Sequence, residues 1–222
     1  MKYLPCKELT KVLLPAYTKC CILKTNCTEL RFDLTLGHFP RGFCGAFGSL
    51  ADVKLVLVLA EPGTPNPIDH GVPLKTPPHN LLEDNTVGVF DVIKENKGTR
   101  NFHGNVGIIL DECWPGLSLE EQFARTWMTE SVLCSAKSAV AQIPRTIELA
   151  CGETYLRRQL DLLPNAFVVA LGGKARSRMD MIGANYHATA WAPGKPKGLT
   201  KEALKTWKEL GKAFRKYLKK NG

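Results

Sequence analysis

Glu61 is the first residue whose type and position suggest chemistry. It follows the apolar run Val53–Ala60 (VKLVLVLA) and stands directly before Pro62-Gly63. In open α/β sheets ligands bind beyond the carboxyl ends of the strands, so a carboxylate placed there faces a binding crevice. Such a group can stabilise a developing positive charge and orient water as a general base; the competing use is a turn carboxylate without chemistry. Glu130 lies within a second strand-like stretch, Thr126–Cys134. Ionised, it offers only acceptors; protonated by burial, it offers a donor as well. An ion pair at a strand edge is its other use. Gly172-Gly173-Lys174-Ala175-Arg176 turns a third apolar run into a helix. Its backbone N–H groups and positive side chains could hold a phosphate, although close strand–helix packing accounts for the glycine pair equally well.

The eight cysteines are Cys6, Cys20, Cys21, Cys27, Cys44, Cys113, Cys134 and Cys151. The chain is long for a disulfide-framed miniprotein, and its first residues, MKYLPC, carry no sustained apolar stretch. A reducing, cytoplasmic setting is therefore expected, leaving thiols, a metal site or an iron–sulfur cluster as the alternatives.

The elements that must position these groups alternate in type. Val53–Ala60 and Ala166–Leu171 (AFVVAL) are continuous apolar runs, the pattern of strands buried on both faces. Residues 64–86, rich in Pro, Asn and Asp, read as a long loop. Phe102, Val106, Ile109, Leu110 and Cys113 recur at helical spacing, and Ser118-Leu119-Glu120-Glu121 is a capping box. Pro144 suits a helix start, with Leu149, Leu156, Leu160 and Leu163 along one face. Thr200 caps a last amphipathic helix with Leu204, Trp207, Leu210, Phe214 and Leu218 inward. Strands alternating with helices predict one α/β domain over residues 1–222, a three-layer α/β/α sandwich with a mainly parallel central sheet. Residues 1–50 form an irregular, Cys-containing N-terminal segment, and residues 200–220 a basic C-terminal helix. No apolar run approaches the ~20 residues of a membrane span.

The net charge of +9 is unevenly placed. Residues 195–222 hold nine lysines and Arg215 against Glu202 and Glu209, which leaves +8 there and +1 for the rest. A basic segment of this kind fits phosphates, or else a solvated helix face.

Two segments are more specific. Residues 53–67 (VKLVLVLAEPGTPNP) and 129–175, with TESVLC followed by IPRTIELACGETYLRRQLDLLPNAFVVALGGKA, together resemble the uracil-DNA glycosylase superfamily. The nearest likeness is to its iron–sulfur-containing bacterial and archaeal branch, over roughly residues 53–175. The resemblance implies a DNA base-excision glycosylase that flips an altered base into a pocket. It implies Glu61, with Pro62 and Gly63, at the catalytic loop, although the branch carries its Glu one residue earlier, where this chain has Ala60. It implies Glu130 at the base-reading position, which the family fills with Asn. An ionised Glu there suits a base edge with two donors, and a protonated one imitates Asn. The wall that stacks on the base falls at Gly71-Val72-Pro73-Leu74, with Leu74 in place of Phe. The His-Pro-Ser turn corresponds to residues 186–195, where His187 is the histidine present and Pro and Ser are missing; the resemblance implies that His187 stabilises the departing base or holds the DNA backbone, against a purely structural use.

In that reading Trp191 forms the wedge that fills the hole left by a flipped nucleotide, or else packs in the core, and the basic Lys195, Lys197 and Arg176 hold DNA phosphates. Cys134 and Cys151, separated by 16 residues, match the branch's later cluster ligands. Its earlier CxxC pair is absent; Cys21 (or Cys20) and Cys27 would complete a [4Fe–4S] cluster, against buried reduced thiols as the alternative. The expectation is a monomeric enzyme acting on single- or double-stranded DNA, or else a non-catalytic, damage-sensing protein on the same fold.

Overall fold

The computed structural model describes residues 3–18, 32–65, 71, 73, 75–135, 142–194 and 200–221. Strand β2 (Leu55–Leu59) occupies the middle of a five-stranded sheet. Its sequence LVLVL is apolar at every position because both faces are covered. β3 (Thr126–Glu130) pairs with it in parallel on one side and β4 (Phe167–Leu171) on the other. β5 (Ala188–Ala190) extends the sheet beyond β4, also in parallel. β1 (Cys44–Gly45) closes the opposite edge antiparallel to β3. The order is therefore β1-β3-β2-β4-β5.

Alternation along the strands divides the interior in two. Leu55, Leu57, Leu59, Met128 and Val169 face one core; Val56, Val58, Trp127 and Val168 face the other. The first core is covered by α2 (Pro78–Glu95), α3 (Phe102–Cys113), α4 (Leu119–Ala124) and α8 (Lys201–Asn221). The second is covered by α1 (Lys7–Leu13), α5 (Arg145–Cys151), α6 (Arg157–Asp161) and α7 (Gly173–Met181). This is the expected α/β/α layering around a mostly parallel sheet. No helix among the described residues is long and apolar enough to cross a membrane.

Local signals account for several boundaries. Ser118 and Glu121 form the capping box of α4 reciprocally, with Ser118 N donating to Glu121 Oε2 at 2.8 Å. Thr200 Oγ1 accepts from Ala203 N at 3.1 Å and opens α8. Gly172, between β4 and α7, has φ +91°, and a Cβ there would lie 2.8 Å from that of Ala192. Glycine is required twice at this turn, for its conformation and for the close approach.

Other expectations need correction. The segment read as a loop to residue 86 becomes helix at Pro78, because its polar residues Asn80 and Asp84 sit on the exposed face while Leu81, Leu82 and Phe90 turn inward. β3 ends at Glu130, not at Cys134. A π-helical stretch, Gly152–Leu156, joins α5 to α6 and rotates the inward stripe. Leu149, expected inside, is consequently exposed, while Ile147 and Cys151 take the buried positions before the bulge. Beyond it, Gln159 is fully buried, accepting from Trp127 Nε1 at 2.9 Å and donating to Tyr155 O at 3.1 Å. In α8 Ala203 replaces Leu204 in the buried stripe, followed by Trp207, Leu210, Gly211 and Phe214.

Candidate functional site

The chain moves from β2 to β3 on one side of the sheet, then crosses to β4 on the other. The crevice between the carboxyl ends of β2 and β4 is thus a topological switch point, where ligands bind in open α/β sheets. Glu61 leaves β2 at this point, and α7 begins just beyond β4. A charge cluster ties the two together. Glu61 Oε1 lies 2.5 Å from Lys174 Nζ, and Oε2 lies 2.5 Å from Arg178 Nη1. Arg178 is buried, at 3% exposure. Its Nη1 also donates to Ala60 O at 2.7 Å and to Ser131 Oγ at 3.3 Å, and its Nη2 lies 2.7 Å from Glu148 Oε1. Ser131 Oγ in turn donates to Ala60 O at 2.6 Å. One guanidinium therefore joins the ends of β2 and β3 to α5 and α7.

Two cations face two anions here, so the cluster is formally neutral. Burial pushes the Glu61 carboxyl up, but the Arg178 charge and the hydrogen bonds from Lys174 and Arg178 outweigh it and hold the group below its ordinary value. Glu61 is consequently an ionised carboxylate, suited to stabilising positive charge and orienting water more than to taking up a proton early.

Glu130 ends β3, paired in register with Leu59, two residues before Glu61. It is 3% exposed, and its Oε2 has no hydrogen-bond partner among the described residues. Burial drives its carboxyl well above the ordinary range; the charge of Glu61 adds to the rise, and Arg178 and Arg41 only partly oppose it. Burial thus biases Glu130 toward its protonated form, whereas Glu61 beside it is biased toward ionisation. The backbone of Gly42 presses against it: a Cβ at residue 42, where φ is +85°, would sit 2.7 Å from Glu130 Oε1. Arg41 spans the mouth, donating to Gly63 O and, from Nη2, to Ser135 Oγ at 2.9 Å.

The chain matches no protein-family model and no curated protein.

The remaining sequence-predicted residues separate into three groups. Pro62 is buried and Gly63 exposed beside Glu61. Trp191 and Arg176 line one cleft near the ends of β5 and β4. His187 is not brought to the site. Its backbone N donates to Val168 O, and its Nδ1 accepts from Val168 N at 3.1 Å. Val168 is level with Val56 across the sheet, five residues before Glu61. At ~3.3 Å per residue His187 therefore stands on the order of 15 Å away, toward the amino-terminal ends of the strands. The cause is that His187 precedes β5 instead of following it. Its ring stacks on Phe167 and packs edge-on against Tyr217, each at 4.9 Å, and partial burial lowers its pKa.

Leu74, Lys195, Lys197, Cys20, Cys21 and Cys27 lie outside the described residues. Cys134 and Cys151 are buried in the same core cluster. Among the described residues no group of three or more His, Cys, Asp or Glu side chains is placed to hold a metal ion.

Sequence reasoning missed Arg178, Glu148 and Arg41. A signal existed for Arg178: it shares the inward face of α7 with Ala175 and Met179, at helical spacing, where a charged residue needs a buried partner. Nothing in the sequence indicated which carboxylates that partner would be.

Proposed function

We propose that this chain is a DNA base-excision glycosylase, hydrolysing the N-glycosidic bond of uracil or another deaminated base flipped from DNA. The observation that carries the reading is the pair of carboxyl groups at the ends of adjacent strands β2 and β3, Glu61 held by Lys174 and Arg178 and Glu130 buried with an oxygen unpartnered among the described residues. Breaking the C1′–N bond leaves its electron pair on the base and oxocarbenium character on the sugar. Glu61 stabilises that cation and orients a water whose oxygen bonds to C1′, the surplus proton passing to solvent. Glu130, as an uncharged acid, offers the base edge a donor and an acceptor; its O–H contact strengthens as the departing base gains negative charge. The protein acts as a monomer in the cytoplasm, its partner being DNA, single- or double-stranded, with Lys195, Lys197 and α8 supplying phosphate contacts.

A second reading, a non-catalytic damage sensor, draws support from the two cations that occupy both oxygens of Glu61. One experiment separates the two. Oligonucleotides bearing uracil, hypoxanthine or xanthine are incubated with protein and cleaved with alkali at abasic sites. Excision abolished by Glu61→Gln supports the enzyme; salt-sensitive binding with no excision of any of the three leaves the sensor.

A further inference from the structure

Three of the four tryptophans are buried, Trp127 and Trp207 completely. Trp191 is the exception, at 38% exposure, yet its backbone is fixed. Its N–H donates to Thr206 Oγ1 at 3.2 Å, and its carbonyl accepts from Trp207 Nε1 at 2.8 Å. Its backbone anchored to α8 and its side chain partly exposed, Trp191 borders a cleft of about 280 Å³. Gly172, Gly173, Arg176, Thr189 and Thr206 complete most of its lining, and no acidic side chain is among them. Arg176 is exposed, and Gly173 contributes no side chain: a Cβ there would meet nothing within 4 Å. The volume is near the lower end of small-ligand pockets, which begin at ~300 Å³, and far too small for a duplex.

We propose that this cleft seats one nucleotide of a nucleic-acid strand, with its phosphate at Arg176 and its base on the face of Trp191. An aromatic face with a nearby guanidinium is the recurring means of holding an unstacked nucleotide without reading its sequence. The placement fits the candidate active site. β5 lies two strands from β2, a lateral separation of about 10 Å. Within α7, Lys174 turns to Glu61 while Arg176 borders the cleft. A strand seated in the cleft thus has about 10 Å to cross to the switch-point crevice, on the order of two nucleotides. The inference takes DNA from the proposed function as the source of the nucleotide, but its binding test stands apart from catalysis.

The test uses a labelled five-nucleotide oligothymidylate in fluorescence anisotropy, with thymidine monophosphate and inorganic phosphate as competitors. Arg176→Ala and Trp191→Ala should each weaken binding about tenfold, the usual scale for a lost stacking partner, whereas Trp191→Phe should stay within about threefold of wild type. Gly173→Leu fills the cleft from a position with open space; it should weaken binding at least tenfold while circular dichroism and Tm stay unchanged. Wild-type affinity in Gly173→Leu and Trp191→Ala overturns the inference. Loss in Arg176→Ala alone, with phosphate competing as well as the mononucleotide, reduces the cleft to an anion site and overturns it too. Tighter binding of the free mononucleotide than of the oligonucleotide overturns the strand assignment. Excision of uracil distinguishes the failures: excision with cleft variants that bind normally removes the cleft alone, whereas cleft-dependent binding without excision removes the glycosylase alone.

Discussion

Replacing Glu130 with Gln should make stability less dependent on pH, in a direction and by an amount that the burial of this residue dictates. In the unfolded chain a Glu side chain ionises near pH 4.3. In the folded chain burial and the neighbouring Glu61 charge raise the value well above that. A raised folded value means that the carboxyl contributes its full stabilisation below the unfolded value and loses it as pH rises toward the folded one. Within that window each pH unit costs wild type about 1.4 kcal/mol, so two units cost about 2.7 kcal/mol. Glu130→Gln keeps the shape, keeps a neutral group against Gly42, and removes the titration. Glu61 is ionised throughout the window in both proteins, so it cancels in the comparison. Urea unfolding of both at pH 5, 6 and 7 measures the effect. With an m-value of about 2 kcal/mol/M, the wild-type midpoint should fall relative to the variant by about 0.7 M urea per pH unit within the window. A constant difference between the two proteins over these three pH values would show that Glu130 titrates alike in folded and unfolded chains, and would refute the neutral-acid assignment.

Arg178→Met strands the partly buried carboxylates of Glu61 and Glu148 and should cost about 3–5 kcal/mol, whereas Lys174→Met, at a 60% exposed side chain, should cost at most about 1 kcal/mol. Chemical denaturation separates the two, and equal losses would contradict the guanidinium's central place. Gly42→Ala combines a left-handed backbone with a clash against Glu130 and should destabilise by roughly 1–3 kcal/mol; Glu130→Gln in the same chain should not rescue it, because Gln keeps the shape and both the clash and the backbone strain remain. Neutralising Lys201, Lys205 and Lys208, all exposed on α8, should flatten the salt dependence of duplex binding by up to about 2.7 in log–log slope if each meets a phosphate. An unchanged slope would mark this face as merely solvated.

How far the fold could be read from sequence followed how local its determinants were. β2 and β4 were legible because burial on both faces leaves an unbroken apolar run, and Ser118 and Glu121 because a capping box acts within four residues. The inward face of α5–α6 was not, since one π turn displaced Leu149 outward without an obvious marker. At the site, the position of Glu61 was legible from the strand that ends before it. Its ion pairs were not: Lys174 and Arg178 lie 113 and 117 residues away and meet it only because β4 lies beside β2. His187 shows how small an error moves a residue from one end of the strands to the other. The three-residue β5, Ala188–Ala190, is too short to announce itself, and because it follows His187, that residue lies at the amino-terminal ends of the strands and not at their carboxyl ends.

The unequal protonation of Glu61 and Glu130 follows from which element supplies the cations. Two carboxyl groups at the ends of adjacent strands cannot both ionise cheaply away from water, so one retains a proton. α7 brings Lys174 and Arg178 to the Glu61 side, whereas Glu130 meets the backbone of Gly42 and keeps an oxygen without a partner. The negative charge therefore settles on Glu61. Separated protonation states of this kind give two carboxyl groups distinct roles, one stabilising positive charge and the other donating a hydrogen bond. The same logic constrains Arg178: removing it withdraws the main charge that stabilises ionised Glu61. In Arg178→Met the pair should share its proton more evenly, with the apparent values of the two groups moving toward each other. Carboxyl titration by NMR would follow this directly, and an unchanged separation would mean that burial alone, not the guanidinium, sets the order.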